Sequence, residues 1–112
     1  MKAKSPKQVL IAAKWMLENV GWCKGNYVSY KDSIGLEIES LCILGAINRV
    51  EIDEDKVGIH SAAKSMIWEL IKKQKQNSSL HMDSAIGTWN DESKRTKKEV
   101  IQLLNKAIAQ AK

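Results

Sequence analysis

The sequence predicts an all-α fold, a compact single-domain bundle of four main helices plus one short helix. Three observations predict it. Apolar residues recur at helical spacing in four separate segments. Two of these segments open on capping boxes. The β-prone runs are too short to stand alone as a sheet. With 112 residues the chain supports one modest core, so residues 1–112 are read as one domain.

The first helix opens at Ser5-Pro6-Lys7-Gln8, where the Ser side chain accepts a backbone N–H, Gln8 reaches back, and Pro takes the first helical position. Leu10, Ala13, Leu17 and Val20 follow at helical spacing, and Gly21 stops the run. Over residues 21–35 the helical period disappears. Gly25-Asn26 has turn chemistry and Tyr27-Val28-Ser29-Tyr30 is a short β-prone run, together an irregular connection held down by Trp22.

The second helix is expected from about residue 37. Ile38, Leu41, Cys42, Gly45 and Ala46 form an apolar stripe, with Glu37 and Glu39 in the first turn and Arg49 in the last, as the helix dipole prefers. Gly45 inside that helix costs ~1 kcal/mol relative to Ala. Close approach of another helix or of an aromatic ring must justify it, with Trp89 as a candidate. Val50-Glu51-Ile52 and Val57-Gly58-Ile59 flank the acidic turn Asp53-Glu54-Asp55-Lys56, which allows either a tiny β-hairpin near 50–59 or a plain connection. The third helix covers about residues 61–76 through Ala63, Met66, Ile67, Leu70 and Ile71, and Asn77-Ser78-Ser79 ends it. A short helix over about 83–89 leads into a Trp89-Asn90-Asp91 turn. A second capping box, Thr96-Lys97-Lys98-Glu99, opens the last helix, whose Val100, Leu103, Leu104, Ala107, Ile108 and Ala111 share a face.

Three anchors occur in order: Gly21-Trp22-Cys23-Lys24-Gly25, Cys42-Ile43-Leu44-Gly45-Ala46, and Trp89-Asn90-Asp91 followed by Arg95-Thr96 and Glu99-Val100. The set resembles an uncharacterised family of small bacterial and phage proteins, a domain of unknown function. The resemblance spans residues 6–111, apart from 27–35 and 49–58, which depart from the pattern. It implies a helical framework and transfers no activity.

Composition narrows the function classes. No apolar run approaches the ~20 residues needed to span a bilayer, so no membrane association is expected. The basic N-terminus leads into a helix carrying Lys14 rather than an unbroken apolar core, which argues against secretion. Cys23 and Cys42 are too few for a disulfide scaffold and fit reduced thiols in the cytoplasm. His60 and His81 have no second ligand at i+3 or i+4, and Asp53, Glu54 and Asp55 lack the Gly and terminal Glu of a calcium loop. The sequence therefore offers no catalytic constellation and implies no cofactor or metal.

The remaining expectation is a small, non-enzymatic, cytoplasmic interaction protein that binds another macromolecule. By analogy with small phage and mobile-element proteins, its partner would be a host protein. Net charge of +5 and pI near 9.3 place the contact on basic residues: Lys72, Lys73 and Lys75, or Lys94, Arg95, Lys97 and Lys98, with Trp68 as an anchor. The same residues would serve a nucleic-acid-binding module. A second alternative is a small-molecule or anion pocket formed by Trp22, Asn26, Asp91 and Arg95, with Asp91 pairing Arg95 near a helix start. The sequence leaves the oligomeric state open.

Overall fold

The computed structural model describes residues 2–74 and 81–111. Along the described chain run α1 (Pro6–Asn19), β1 (Val28–Tyr30), β2 (Ile38–Leu41), α2 (Ile43–Arg49), α3 (Ile59–Gln74), α4 (Met82–Asp91) and α5 (Lys97–Gln110). The fold is thus mostly helical, with a small antiparallel sheet that the all-α expectation lacked. Helix α1 packs against α2, α3 and α5, and α4 lies against α2 and α3. Leu10, Leu17, Ile43, Leu44, Ile47, Ile67, Ile86 and Leu104 fill the core between them. Among the described residues no helix is long and apolar enough to cross a membrane.

The two capping boxes organise α1 and α5. Ser5 Oγ accepts the Gln8 N–H at 3.2 Å, while Gln8 Oε1 accepts the Lys4 N–H at 2.7 Å, one residue earlier than the standard box. At α5, Thr96 Oγ1 accepts the Glu99 N–H and Glu99 Oε1 accepts the Thr96 N–H, at 3.2 and 3.0 Å. Helix α3 begins at Ile59, slightly earlier than the sequence indicates. Its expected end at Gln76 and Asn77-Ser78-Ser79 lies outside the described residues, as does Lys75.

The second helix is shorter than expected. It begins at Ile43, so Glu37 and Glu39 do not occupy its first turn, and residues 38–41 are a strand. The β-prone run at 28–30 finds its partner there, with Val28 opposite Leu41, Ser29 opposite Ser40 and a bulge before Tyr30. Backbone hydrogen bonds decide the outcome. The Leu41 N–H donates to Gly21 O, the Cys23 N–H to Leu41 O and the Cys42 N–H to Tyr27 O, at 2.9, 3.0 and 3.1 Å. These groups are therefore engaged with residues 21–27 and unavailable to a helix. Cys42 Sγ then caps α2 by accepting the Gly45 N–H at 3.3 Å. The loop between the strands closes on Asp32, whose carboxylate accepts the N–H groups of Ile34, Leu36 and Glu37.

No hairpin forms over 50–59. Ile52 instead bridges Ala3 in parallel, with the Ala3 N–H donating to Glu51 O at 2.8 Å and the Asp53 N–H to Ala3 O at 3.2 Å. Val57 is 88% exposed, so a strand there would have no face to bury. The chain turns and enters α3 directly.

Gly45 does mark a close approach, but its neighbour is the Tyr27 carbonyl and not Trp89. A Cβ on Gly45 would overlap Tyr27 O and lie 2.8 Å from Tyr27 C, where backbone rather than a flexible side chain must yield. Gly45→Ala is therefore expected to destabilise the fold by about 2–3 kcal/mol, as overpacking does. Urea unfolding at constant m would measure it, and an unchanged midpoint would place the Tyr27 segment elsewhere.

Candidate functional site

Trp89, Asn90 and Asp91 form the last turn of α4 rather than a separate turn. The helix runs through them because its end is closed by side chains from elsewhere in the fold. Arg95 Nε donates to the Trp89 carbonyl at 2.9 Å, satisfying one of the carbonyls a helix end leaves open. Asn90 is fully buried, and each of its two amide atoms has two partners. Oδ1 accepts from Trp22 Nε1 at 2.8 Å and from the Ile43 N–H at 3.3 Å. Nδ2 donates to the Cys23 carbonyl at 3.0 Å and to Asp91 Oδ1 at 2.9 Å. Asp91 Oδ1 also accepts the Gly25 N–H at 2.9 Å, which holds the 21–25 connection to α4.

The expected Asp91–Arg95 pair does not form. The chain leaves the helix at Glu92, so Arg95 loses the i,i+4 relation to Asp91 and turns to other carboxylates. Its NH2 lies 2.7 Å from Glu92 Oε2 and its NH1 3.2 Å from Glu99 Oε2, and the guanidinium sits 3.7 Å over the Trp89 ring. All three nitrogens are engaged within the chain and the side chain is 10% exposed. The Thr96 N–H, then the Thr96 hydroxyl and the Arg95 charge, hold the Glu99 carboxyl below its ordinary range.

The four residues expected to form one pocket separate into three places. Asn26 and Asp91 line a common cavity of about 530 Å³ between residues 25–27 and α4. Trp22 stands behind it, joined through Asn90. Arg95 lines a different recess of about 160 Å³ with Trp89, Gln74 and Glu99. Asp83, Ser84, Gly87 and Thr88 complete the α4 wall of the larger cavity, and Cys42 and Leu44 lie across from them. Burial pushes the Cys42 thiol above its ordinary value, and the Asp91 carboxylate adds to that shift.

The basic candidates also differ in their surroundings. Trp68 is half-buried against the core, with the Lys72 ammonium 4.2 Å from its ring, and Lys72 pairs with Glu69 at 2.8 Å. The Trp68 indole N–H is buried and has no acceptor among the described residues. Lys73, Lys94, Lys97 and Lys98 are exposed, and the last two border a shallow groove with Glu18 and Ile101. Of the two tryptophans that lie beside a helix stripe, Trp15 and the expected anchor Trp68, it is Trp15 that stands open to solvent. Trp15 is 60% exposed, with Ile11 at 47% one turn before it, beside a groove lined by Ala3, Ala12 and Val50. The available signal was the i,i+4 spacing of two large apolar residues off the Leu10–Ala13–Leu17 stripe.

The fold and the cavity define a small, mostly helical domain locked by one buried amide, with a polar cavity on one side and an apolar helix face on another. The chain belongs to a family of unknown function (DUF6197), whose model matches residues 1–110. This agrees with the expected membership of a family of unknown function over nearly the whole chain. No curated protein and no solved structure matches it.

Two measurements check the lock. Asn90→Ala strands the N–H groups of Trp22 and Ile43, each a buried donor worth about 1–3 kcal/mol when left unpaired, so a loss of at least about 2 kcal/mol is expected in urea unfolding. The depressed Glu99 carboxyl contributes stability above its ordinary value of 4.5, and that contribution is lost as pH falls through the lower folded value. Glu99→Gln should therefore flatten the decline of melting temperature between about pH 5 and 3. Parallel curves for the two proteins would contradict the assignment.

Proposed function

We propose that this chain is a non-enzymatic, cytoplasmic binding domain that holds an amphipathic, acidic segment of a partner protein against α1. The exposure of Trp15 and Ile11 on one helix face carries this reading. Apolar area in water costs about 25 cal/mol per Å², and tryptophan is the residue most enriched at the energetic centres of interfaces. The adjoining groove has a volume of about 690 Å³, and among the described residues Lys2 is the one charged residue lining it, which favours a partner with carboxylates beside its apolar residues. Arg95 and Lys72 support a basic docking surface less well, because internal carboxylates and tryptophan rings already engage them. The resemblance to small bacterial and phage proteins favours a host protein as the partner.

The test compares wild type, Trp15→Ala and the double variant Lys97→Glu/Lys98→Glu in pull-downs from a bacterial lysate, with and without nuclease. A photo-crosslinking residue at Ile11 identifies the bound segment. The expected result is one protein retained by wild type and the double variant in both halves and lost with Trp15→Ala, crosslinked through an apolar and acidic peptide. Retention unaffected by Trp15→Ala, or retention only without nuclease, overturns the proposal. The second result would assign the function to nucleic-acid binding. Crosslinking only to a second copy of this chain would also overturn it.

A further inference from the structure

The cavity between residues 25–27 and α4 plays no part in that reading. Its volume of about 530 Å³ is that of a small-molecule site, for which roughly 300–1,000 Å³ is usual. Two carboxylates line it, Asp83 and Asp91, and no lysine or arginine does so among the described residues, on a chain of net charge +5. The two are eight residues apart on α4, which separates them by about 12 Å along the helix at 1.5 Å per residue. That is too far to share one metal ion and suits two linked positive charges. Asp91 commits one oxygen, Oδ1, to Gly25 and Asn90, and its other oxygen has no donor among the described residues. Asp83 meets the Lys64 ammonium through Oδ2 at 3.3 Å and remains 53% exposed. The hydroxyls of Ser84 and Thr88 lie along the same wall.

Gly87 supplies an independent observation. It lies in the interior of α4, where glycine weakens a helix relative to alanine. Packing does not require it, because an added Cβ would meet only Leu44 Cδ1 at an ordinary 3.8 Å. What the missing side chain provides is room in the cavity, over an apolar floor formed with Leu44 and between the two carboxylates.

We infer that this cavity binds a linear aliphatic diamine or polyamine, with one ammonium at Asp83, another at Asp91, and the methylene chain lying across Gly87 and Leu44.

Titration of the ¹⁵N-labelled full chain with spermidine, putrescine, butylamine and inorganic phosphate tests the inference by amide chemical shifts. Wild type should show saturable shifts at residues 25–27 and along α4 with the two polyamines, weaker ones with butylamine, and none there with phosphate. Asp91→Asn keeps an oxygen acceptor for Gly25 and removes the charge. It should weaken spermidine by about tenfold or more, the scale of one charge-assisted hydrogen bond. Gly87→Met should fill the floor and weaken binding to a similar degree, with melting temperature checked in both variants. Absence of saturable shifts at millimolar spermidine, equal affinity in Asp91→Asn, or phosphate shifting the same amides would overturn it.

Discussion

The constraint on which most of this structure depends is the burial of a single amide. Asn90 is fully enclosed, and a side-chain amide placed there has to find partners for both its donors and its acceptor lone pairs. It finds them on three separate pieces of chain: the Trp22–Cys23 connection, the first residue of α2, and its neighbour Asp91. A buried polar group satisfied in this way specifies an arrangement, because any shift of one piece leaves a donor or acceptor unpaired in a low-dielectric interior. The start of α2 shows the dependence. Its first N–H groups have no intrahelical acceptor, so Asn90 takes that of Ile43 and Cys42 Sγ takes that of Gly45. With α2 held, Gly45 lies under the Tyr27 carbonyl and the two strands pair. With α4 held, Asp91 reaches Gly25 and forms one wall of the polar cavity.

The sequence was most legible where structure is local. The 3.6-residue stripe and the capping boxes at Ser5 and Thr96 depend on neighbours within one turn, and α1, α3 and α5 stand where those signals place them. Ile38 and Leu41 read as the start of a helix stripe because their i,i+3 spacing suits one, whereas in the strand they form they fall on opposite faces. The hydrogen bonds that decide between them come from residues 21–27 and leave no local mark. Gly45 was informative in kind, since a glycine in a helix interior does mark close approach, yet its sequence position does not say which chain approaches.

The polar cluster at residues 89–91 misled for a related reason. Asn and Asp together are a turn signal because they compete locally for the backbone. Here both side chains bond to residues more than sixty positions away, and the helix continues through them. Within the candidate pocket, Asn26 and Asp91 do come together, while Arg95 does not join them. Glu92 and Glu99 flank Arg95 at i−3 and i+4, and these local ion pairs outcompete a longer reach to Asp91. That competition was visible in the sequence, because both spacings are those at which charged side chains meet.

Net charge is a poor guide to the surface of this protein, because several of its cations are engaged internally. Lys24 donates to the carbonyls of Glu92 and Ser93 beyond the end of α4 and lies 5.5 Å from the Trp22 ring. Lys72 covers Trp68, Arg95 covers Trp89, and Lys64 is buried beside Asp83. Three of the four tryptophans therefore carry a cation over the ring, an arrangement that shields an indole face from water while keeping the charge solvated or paired. Trp15 has no such cover among the described residues, and it is the tryptophan left most open to solvent. Among the described residues each of the other indoles has a cation over its ring and this one has none, which leaves an open aromatic face on α1. Such a face gains most when a partner, rather than the chain itself, removes it from water.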